Sequence, residues 1–372
     1  MKQLSWFSKM VFIANIVFAF LLLLSTFSPS IEPIKAKFIF LLGLGYPGFL
    51  LINLLFVLYW IRKKRLQMIL SLAVIIFGYS NLTTLFATNI SSKKVTENDF
   101  TIMSFNVRLF DEYHWLAKDS IDNRIFEYIE EQNPDIVAFQ EFINRNKTGL
   151  QYIKRMRALG YKYYDLEPKS YANKENRYFG LATFSKYKTV AEGVAFQYAT
   201  KKGNPTKSVS IFTDIDINGR IIRVYNTHLK SLGFKKDDYE FVENIQNNDE
   251  KEAISKSKGI ASKILQAAYK RAKETKTISQ HVKFSEYPTI LVGDFNEPPY
   301  TYSYKQLTAN LTDSFLEHGF GLGTTFDGIA TIPGLRLDFM LHSSTLTSNS
   351  FKTGPSGLSD HRALFGEFSF SE

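Results

Sequence analysis

Cysteine is absent from the 372 residues, so the chain can form no disulfide and can offer no thiolate to a metal. A disulfide-built secreted module is thereby excluded, whereas the redox state of the compartment stays open. A broad excess of one charge is also missing from most of the chain. The formal net charge is +9, but residues 1–100 hold ten Lys or Arg against three acids, and residues 101–372 hold 35 against 33. The larger part is close to neutral and offers no wide basic field of the kind that attracts nucleic acid. No internal repeat and no low-complexity tract occurs. What the sequence has in quantity is apolar and aromatic side chain, 45% hydrophobic residues with 33 Phe and 20 Tyr, which excludes a disordered tail and implies folding by burial.

The apolar residues are unevenly spread. Three uncharged stretches, about 10–31, 38–61 and 66–88, are each long enough to supply the roughly 20 residues that cross a hydrocarbon core. The second contains Gly43, Gly45, Pro47 and Gly48, tolerated in bilayer helices, and ends in Tyr59-Trp60 where an interface is expected. Residues 1–92 are therefore expected to form a membrane region of three transmembrane helices, with 93–100 as a linker and 101–372 as one folded domain. Lys2, Lys9 and the loop Arg62-Lys63-Lys64-Arg65 outweigh Lys35, Lys37, Lys93 and Lys94, which keeps the N-terminus in the cytoplasm and puts the large domain outside it. The first stretch also has the makings of a signal peptide, and its removal would leave the large domain on the same side.

Beyond residue 100, strand-like runs (101–107, 136–139, 181–184, 209–217, 221–226, 289–292, 337–341 and 363–370) alternate with helical patterns at 122–132 and 251–274. The class expected is α/β with mixed strands. Residues 234–250 are polar and read as loop, and the long helix that follows reads as a surface helix with Ile254, Ala261, Ile264, Leu265 and Ala268 inward. Polar residues gather where apolar runs end: Asn106, Glu141, His228, Asp294, Asn296, Asp338 and the pair Asp360-His361. Each alone is an ordinary turn former or cap. Their joint order, always beside a strand, is what carries information.

These residues resemble the endonuclease/exonuclease/phosphatase superfamily, which includes deoxyribonucleases, abasic-site endonucleases, deadenylases, neutral sphingomyelinases and inositol polyphosphate 5-phosphatases. The resemblance covers 101–372. It rests on Ser104-Phe105-Asn106, Gln140-Glu141, Gly180 to Ser185-Lys186, Asn226-Thr227-His228-Leu229, Gly293-Asp294-Phe295-Asn296 and Ser359-Asp360-His361. It implies a four-layer αββα sandwich with the active site at one edge of two packed sheets.

Glu141, Asp360 and Asn106 form an all-oxygen set suited to Mg²⁺ or Mn²⁺, which rank above Zn²⁺ because His228 and His361 have no close histidine partner. The family roles would make Asp294 the group that orients and deprotonates the attacking water, with Asn296 beside it. Asp338 would fix His361 in its protonated form against the scissile phosphate, and His228 would stabilise the transition state from the other flank. Arg177 and Tyr178, just before Gly180, are placed to meet a phosphate. Glu175 is the candidate acidic partner of His228 by position alone.

The expected activity is metal-dependent hydrolysis of phosphodiesters by a membrane-anchored enzyme, with nuclease-like chemistry leading. A sphingomyelinase-like phospholipid phosphodiesterase or an inositol-phosphate phosphatase is the alternative, and a non-catalytic membrane scaffold a remote one. The partners expected are the lipid bilayer and a phosphoester of nucleic acid or of a phospholipid headgroup, with no obligate protein partner. The tyrosines at 300, 302 and 304 fit half-buried packing better than base stacking.

Overall fold

A computed structural model describes residues 4–89, 99–116, 119–145, 151–167, 177–199, 205–234, 236–243, 250–329 and 334–371. Most of the expected linker, and Glu175, lie outside these residues.

The N-terminal region is α1 (Trp6–Ser25), α2 (Lys37–Leu44), α3 (Tyr46–Arg62), α4 (Met68–Phe77) and α5 (Tyr79–Leu85). The run from Trp6 to Ser30 is the one helix that is by itself long and apolar enough to cross a membrane, among the described residues. The other two apolar stretches are broken rather than continuous. α2 and α3 meet at 62°, α4 and α5 at 68°, so the region has three spans only if each bent pair is one. The breaks fall at Gly45 and Gly78, and Pro47 starts the new helix at the first break. Tyr46 Oη donates to the Gly78 carbonyl at 3.2 Å, satisfying a group the second break frees.

Polarity in this region is inverted. On α1, Trp6, Phe7, Met10, Ile13, Ile16, Val17 and Phe20 are exposed, whereas Ser8, Asn15, Ala19 and Ser25 are buried. Asn15 Nδ2 donates to Ser71 Oγ (2.6 Å), Ser71 Oγ to Asn53 Oδ1 (2.7 Å) and Trp60 Nε1 to Asn15 Oδ1 (2.9 Å), so one buried polar network ties α1, α3 and α4 together. On α1 the small and polar side chains turn inward beside Leu22 and most large apolar ones turn outward, a pattern that suits helices solvated by lipid.

The remaining helices are α6 (Ile121–Gln132), α7 (Tyr152–Ala158), α8 (Lys236–Glu243), α9 (Glu250–Lys283), α10 (Tyr302–Leu307) and α11 (Ser314–His318). The strands are β1 (Ala87–Thr88), β2 (Phe100–Asn106), β3 (Ile136–Arg145), β4 (Tyr163–Glu167), β5 (Arg177–Ser185), β6 (Lys188–Ala199), β7 (Pro205–Ile217), β8 (Arg220–His228), β9 (Thr289–Asp294), β10 (Thr312–Asp313), β11 (Phe320–Gly321), β12 (Asp338–His342), β13 (Leu346–Thr353) and β14 (Leu364–Phe370). Helix α8 occupies ground expected to be loop. In α9 the first half is largely exposed, Ile254 included, and the continuous buried face begins at Ala267.

Among the described residues two six-stranded sheets form, ordered β13-β14-β2-β3-β5-β4 and β10-β12-β9-β8-β7-β6. Each has one parallel pair, β2 with β3 and β8 with β9, and antiparallel neighbours elsewhere. The central strands are apolar on both faces, as sheets covered on both sides require. Ile102, Ile136 and Ala138 meet Ile222, Val224, Ile290 and Val292 between the sheets. Alternate residues Met103, Phe105, Val137 and Phe139 pack outward on Ile125, Phe126 and Ile129 of α6. Behind the second sheet, Tyr225, Leu291 and Leu341 meet Ile278 and Val282 of α9 and Tyr304 and Leu307 of α10. Helix, sheet, sheet and helix follow in that order.

The N-terminal helices dock on the second sheet's side of this sandwich. β1 pairs with β11, Ala87 opposite Gly321 and Thr88 opposite Phe320. The Tyr46 and Tyr300 rings lie 5.9 Å apart, Lys305 Nζ donates to Ser30 Oγ (2.8 Å), and Arg336 Nη2 to the Thr84 carbonyl (3.0 Å). Tyr300 and Tyr304 therefore serve packing, as their spacing suggested.

Candidate active site

The two parallel pairs decide where the polar residues meet. Parallel strands end at the same edge, so Asn106 lies opposite Gln140 in one sheet and His228 opposite Asp294 in the other. β12 runs antiparallel and starts there, with Asp338 opposite Asp294. Gly293 makes the approach possible. Its φ is +137°, and a Cβ would lie 1.8 Å from the Thr227 carbonyl oxygen, so no other residue fits beside β8. The register of β3 shifts between Phe139 and Phe142, and inside this bulge Glu141 takes φ 52°, which turns it out of the sheet's alternation.

Across the gap the sheets are joined by amides. Gln140 Nε2 donates to Asn226 Oδ1 (2.8 Å), and Asn226 Nδ2 to the carbonyls of Phe139 and Ala182 (3.1 Å each). Asn106 Nδ2 donates to Asp294 Oδ2 at 3.1 Å.

Asp294 is the hub. Its Oδ1 accepts the Asn296 N–H (2.8 Å) and its Oδ2 the Asn296 side-chain amide (3.1 Å). His228 Nε2 and His361 Nε2 each stand 3.6 Å from Oδ2. Burial pushes this carboxyl up to about 7; Asp338 pushes the same way, while the His361 charge and the Asn296 and Asn106 donors pull it down. His361 Nδ1 is 2.8 Å from Asp338 Oδ2. Burial alone would lower the imidazole, but the carboxylates of Asp338, Asp294 and Asp360 outweigh it and raise the pKa to about 10, so the ring is held cationic. Thr325 Oγ1 accepts the backbone N–H groups of Leu337 (2.9 Å) and Asp338 (3.0 Å), fixing the start of β12.

Glu141 and Asp360 flank this buried hub and are more open. Glu141 Oε1 is 3.9 Å from His228 Nε2, and Asp360 Oδ2 is 3.3 Å from Arg108 Nη1. Burial raises the phenol pKa of Tyr239 in α8, and the charges of Asp360, Glu141 and Asp294 add to it against the opposing Arg108.

Of the two expected substrate residues, Tyr178 does not join the cluster. Tyr178 packs on Phe142 and its hydroxyl donates to the carbonyls of Glu167 and Leu181, which leaves it turned into the fold. Arg177 is in β5, but its side chain lies outside the described residues. Other residues were not anticipated. Arg108 follows two residues after Asn106, and that spacing was its only signal. Arg271 and Glu274 of α9, a helix expected at the surface, are both buried. Arg271 Nε donates to Glu297 Oε1 (2.7 Å) and Nη1 to the Lys230 carbonyl (2.7 Å), while Glu274 Oε2 accepts the Lys230 N–H (2.9 Å). α9 thus clamps the segments that follow His228 and Asn296.

Comparison with known proteins agrees with this geometry. No curated protein matches the chain in sequence. Residues 8–85 match a sequence model described as a domain of unknown function. Humanized D. rerio TDP2 carrying 14 mutations is similar at 17% identity and a TM-score of 0.51, over 73% of this chain and 100% of that one. D. rerio TDP2 complexed with single strand DNA product gives 17% and 0.50, over 73% and 100%. An endonuclease/exonuclease/phosphatase from Bacteroides vulgatus gives 18% and 0.50, over 74% and 100%. At such identities these likenesses speak for the fold. Residues 103–361, well over half of the sequence, match the model of the Endonuclease/Exonuclease/phosphatase family, and the chain belongs to that family of hydrolases acting on phosphate esters.

Proposed function

We propose that this protein is a membrane-anchored, divalent-metal-dependent phosphodiesterase that hydrolyses its substrate by in-line attack of water, with nuclease-type chemistry. The observation that carries the reading is the Asp294 carboxylate, buried between two imidazoles and two amides. Such a carboxyl, with its pKa lifted to about 7, is poised to take a proton from water near neutrality. Asn296 and Asn106 orient it. His361, held cationic by Asp338, donates from Nε2 to a non-bridging phosphate oxygen. His228 faces the same oxygens from the opposite sheet and stabilises the charge that grows there.

Glu141, Asp360 and Asn106 fit a hard divalent cation, since all three offer oxygen and the two carboxylates are the more open ones at this edge. Asp294, Asp338 and His361 also offer ligand atoms within 4.8 Å of one another. The Asp338 to His361 hydrogen bond favours a proton-holding relay for that trio, which supports the first set as the cation's ligands. When bound, Mg²⁺ or Mn²⁺ would neutralise phosphate charge and support the leaving oxygen.

The anchor is α1 with the two bent pairs, each pair counted as one span. Ser8 Oγ lies 3.3 Å from Tyr59 Oη, so the chain start and the basic loop at 62–65 share one end of the bundle, while the contacts to the folded domain use the other. That arrangement supports a cytoplasmic N-terminus and an extracytoplasmic catalytic domain. The test is hydrolysis of bis(p-nitrophenyl) phosphate by the full chain in detergent. Turnover lost to chelator and restored by Mg²⁺ or Mn²⁺ is expected; turnover indifferent to chelator, or none with any divalent cation, refutes the reading.

A further inference from the structure

The last membrane helix does not hand the chain over through a long spacer. α5 ends at Leu85, and two residues later the backbone is already paired with β11 of the catalytic domain. Phe86 and Phe320 meet edge to face at 6.1 Å. Both stay largely open, Phe86 at 42% and Phe320 at 65% exposure, and Leu322 follows at 39%. Single exposed apolar residues are ordinary on a protein surface. Phe27, Ile34 and Phe38 are exposed as well, on the stretch around Ser30 that Lys305 of the folded domain holds.

The same loop leads into the active site. Phe326, six residues after Phe320, bridges His361 through the backbone and lays its ring 4.8 Å from the imidazole. Six residues reach at most about 20 Å. A second tie is as short: Tyr300, on Tyr46 of α3, comes four residues after Asn296. A third is Arg336, which holds the Thr84 carbonyl two residues before Asp338. Three segments that supply site residues are each braced on the helix ends.

We propose that Phe320 and Leu322, beside Phe86, dip into the bilayer that holds the N-terminal helices, and that the site so placed acts on a phosphodiester carried by a lipid. The proposal rests on the membrane-anchored phosphodiesterase reading and adds the substrate class. A belt of Phe and Leu at a helix end is stable where it meets acyl chains, and a site within two or three turns of chain from that belt meets headgroups before it meets soluble polymers.

The absence of cysteine gives a clean measurement. Leu322→Cys and, separately, Phe320→Cys in the full chain are labelled with an environment-sensitive fluorophore and placed in phosphatidylcholine vesicles containing brominated lipid. Quenching by bromines near the headgroup is expected, with Lys188→Cys on the opposite sheet edge as the unquenched reference. Labels at 320 and 322 quenched no more than the reference overturn the bilayer contact. Release of phosphorylated headgroup from vesicles of phosphatidylcholine, sphingomyelin and phosphatidylglycerol is then compared with cleavage of single-stranded DNA and bis(p-nitrophenyl) phosphate. Headgroup release is expected, and Phe320→Ser with Leu322→Ser should lower the ratio of lipid to soluble turnover about tenfold. Cleavage of DNA and the soluble ester without headgroup release overturns the substrate class and leaves the phosphodiesterase reading standing. No metal-dependent turnover of anything overturns both.

Discussion

Asn106 reaches from one sheet to the other, its Nδ2 donating to Asp294 Oδ2 at 3.1 Å, so the end of β2 directly holds the buried carboxylate at the end of β9. The two halves of the site are therefore one hydrogen-bonded unit, and Asp294 sits where both sheets can act on it.

Asp294→Asn should lower the rate at least about a hundredfold, the scale of lost proton transfer. Its effect on stability has a definite sign. Burial raises the folded-state pKa to about 7 from an ordinary value near 4, so the folded protein binds this proton more tightly than the unfolded chain. That contribution is full below about pH 4 and is lost as pH rises through about 7. The amide does not ionise, so the variant should gain melting temperature over the parent at pH 8 and little at pH 4. A variant that melts lower at pH 8 would make Asp294 a structural carboxylate.

Glu141→Gln and Asp360→Asn should each weaken Mg²⁺ binding and turnover together, because one anionic oxygen is removed from a set with only two carboxylates. Calorimetric titration of the full chain in detergent checks this. Unchanged affinity in both variants would move the cation to Asp294, Asp338 and His361.

Arg271→Ala should be far more damaging than its place on a charged helix suggests. Arg271 and Glu297 are almost fully buried and paired at 2.7 Å, so truncation leaves a carboxylate uncompensated at a cost of about 3–5 kcal/mol. Arg271→Met with Glu297→Leu should recover most of that stability. If the double variant unfolds like the single one, the guanidinium's bond to the Lys230 carbonyl matters more than the pair.

The comparison of sequence with structure separates what periodicity records from what it cannot. The strand ends of the candidate site were legible because each is an apolar run stopped by a polar group, as at Asn106 and Asp294. The order of the strands was not, since no local feature says that β2 and β8 each pair in parallel with a later strand. The stretches expected to span at 38–61 and 66–88 bend at Gly45 and Gly78, which was not legible because hydropathy counts apolar residues and is blind to a bend. Helix α8 was hidden by its polarity. Arg271 and Glu274 were hidden by their neighbours: on a helix rich in Lys, nothing in the sequence marks the charges that turn inward.

Topology gives the final prediction, and it depends on charge and packing rather than on the catalytic residues. The contacts to the catalytic domain come from Ser30 after α1, Tyr46 at the start of α3 and Thr84 near the end of α5. Those three points coincide only if the helices run up, down and up, with the loop at 62–65 at the far end beside Ser8. Four adjacent basic residues in a tight loop resist translocation, so that end is expected to stay in the cytoplasm and the domain to be carried across. Alkaline phosphatase fused after Glu372 in a bacterial host should be active, and a fluorescent protein that matures only in the cytoplasm should remain dark at the same position. A bright fusion with inactive phosphatase would turn the molecule over, and the lipid presented to the site would then be that of the cytoplasmic leaflet.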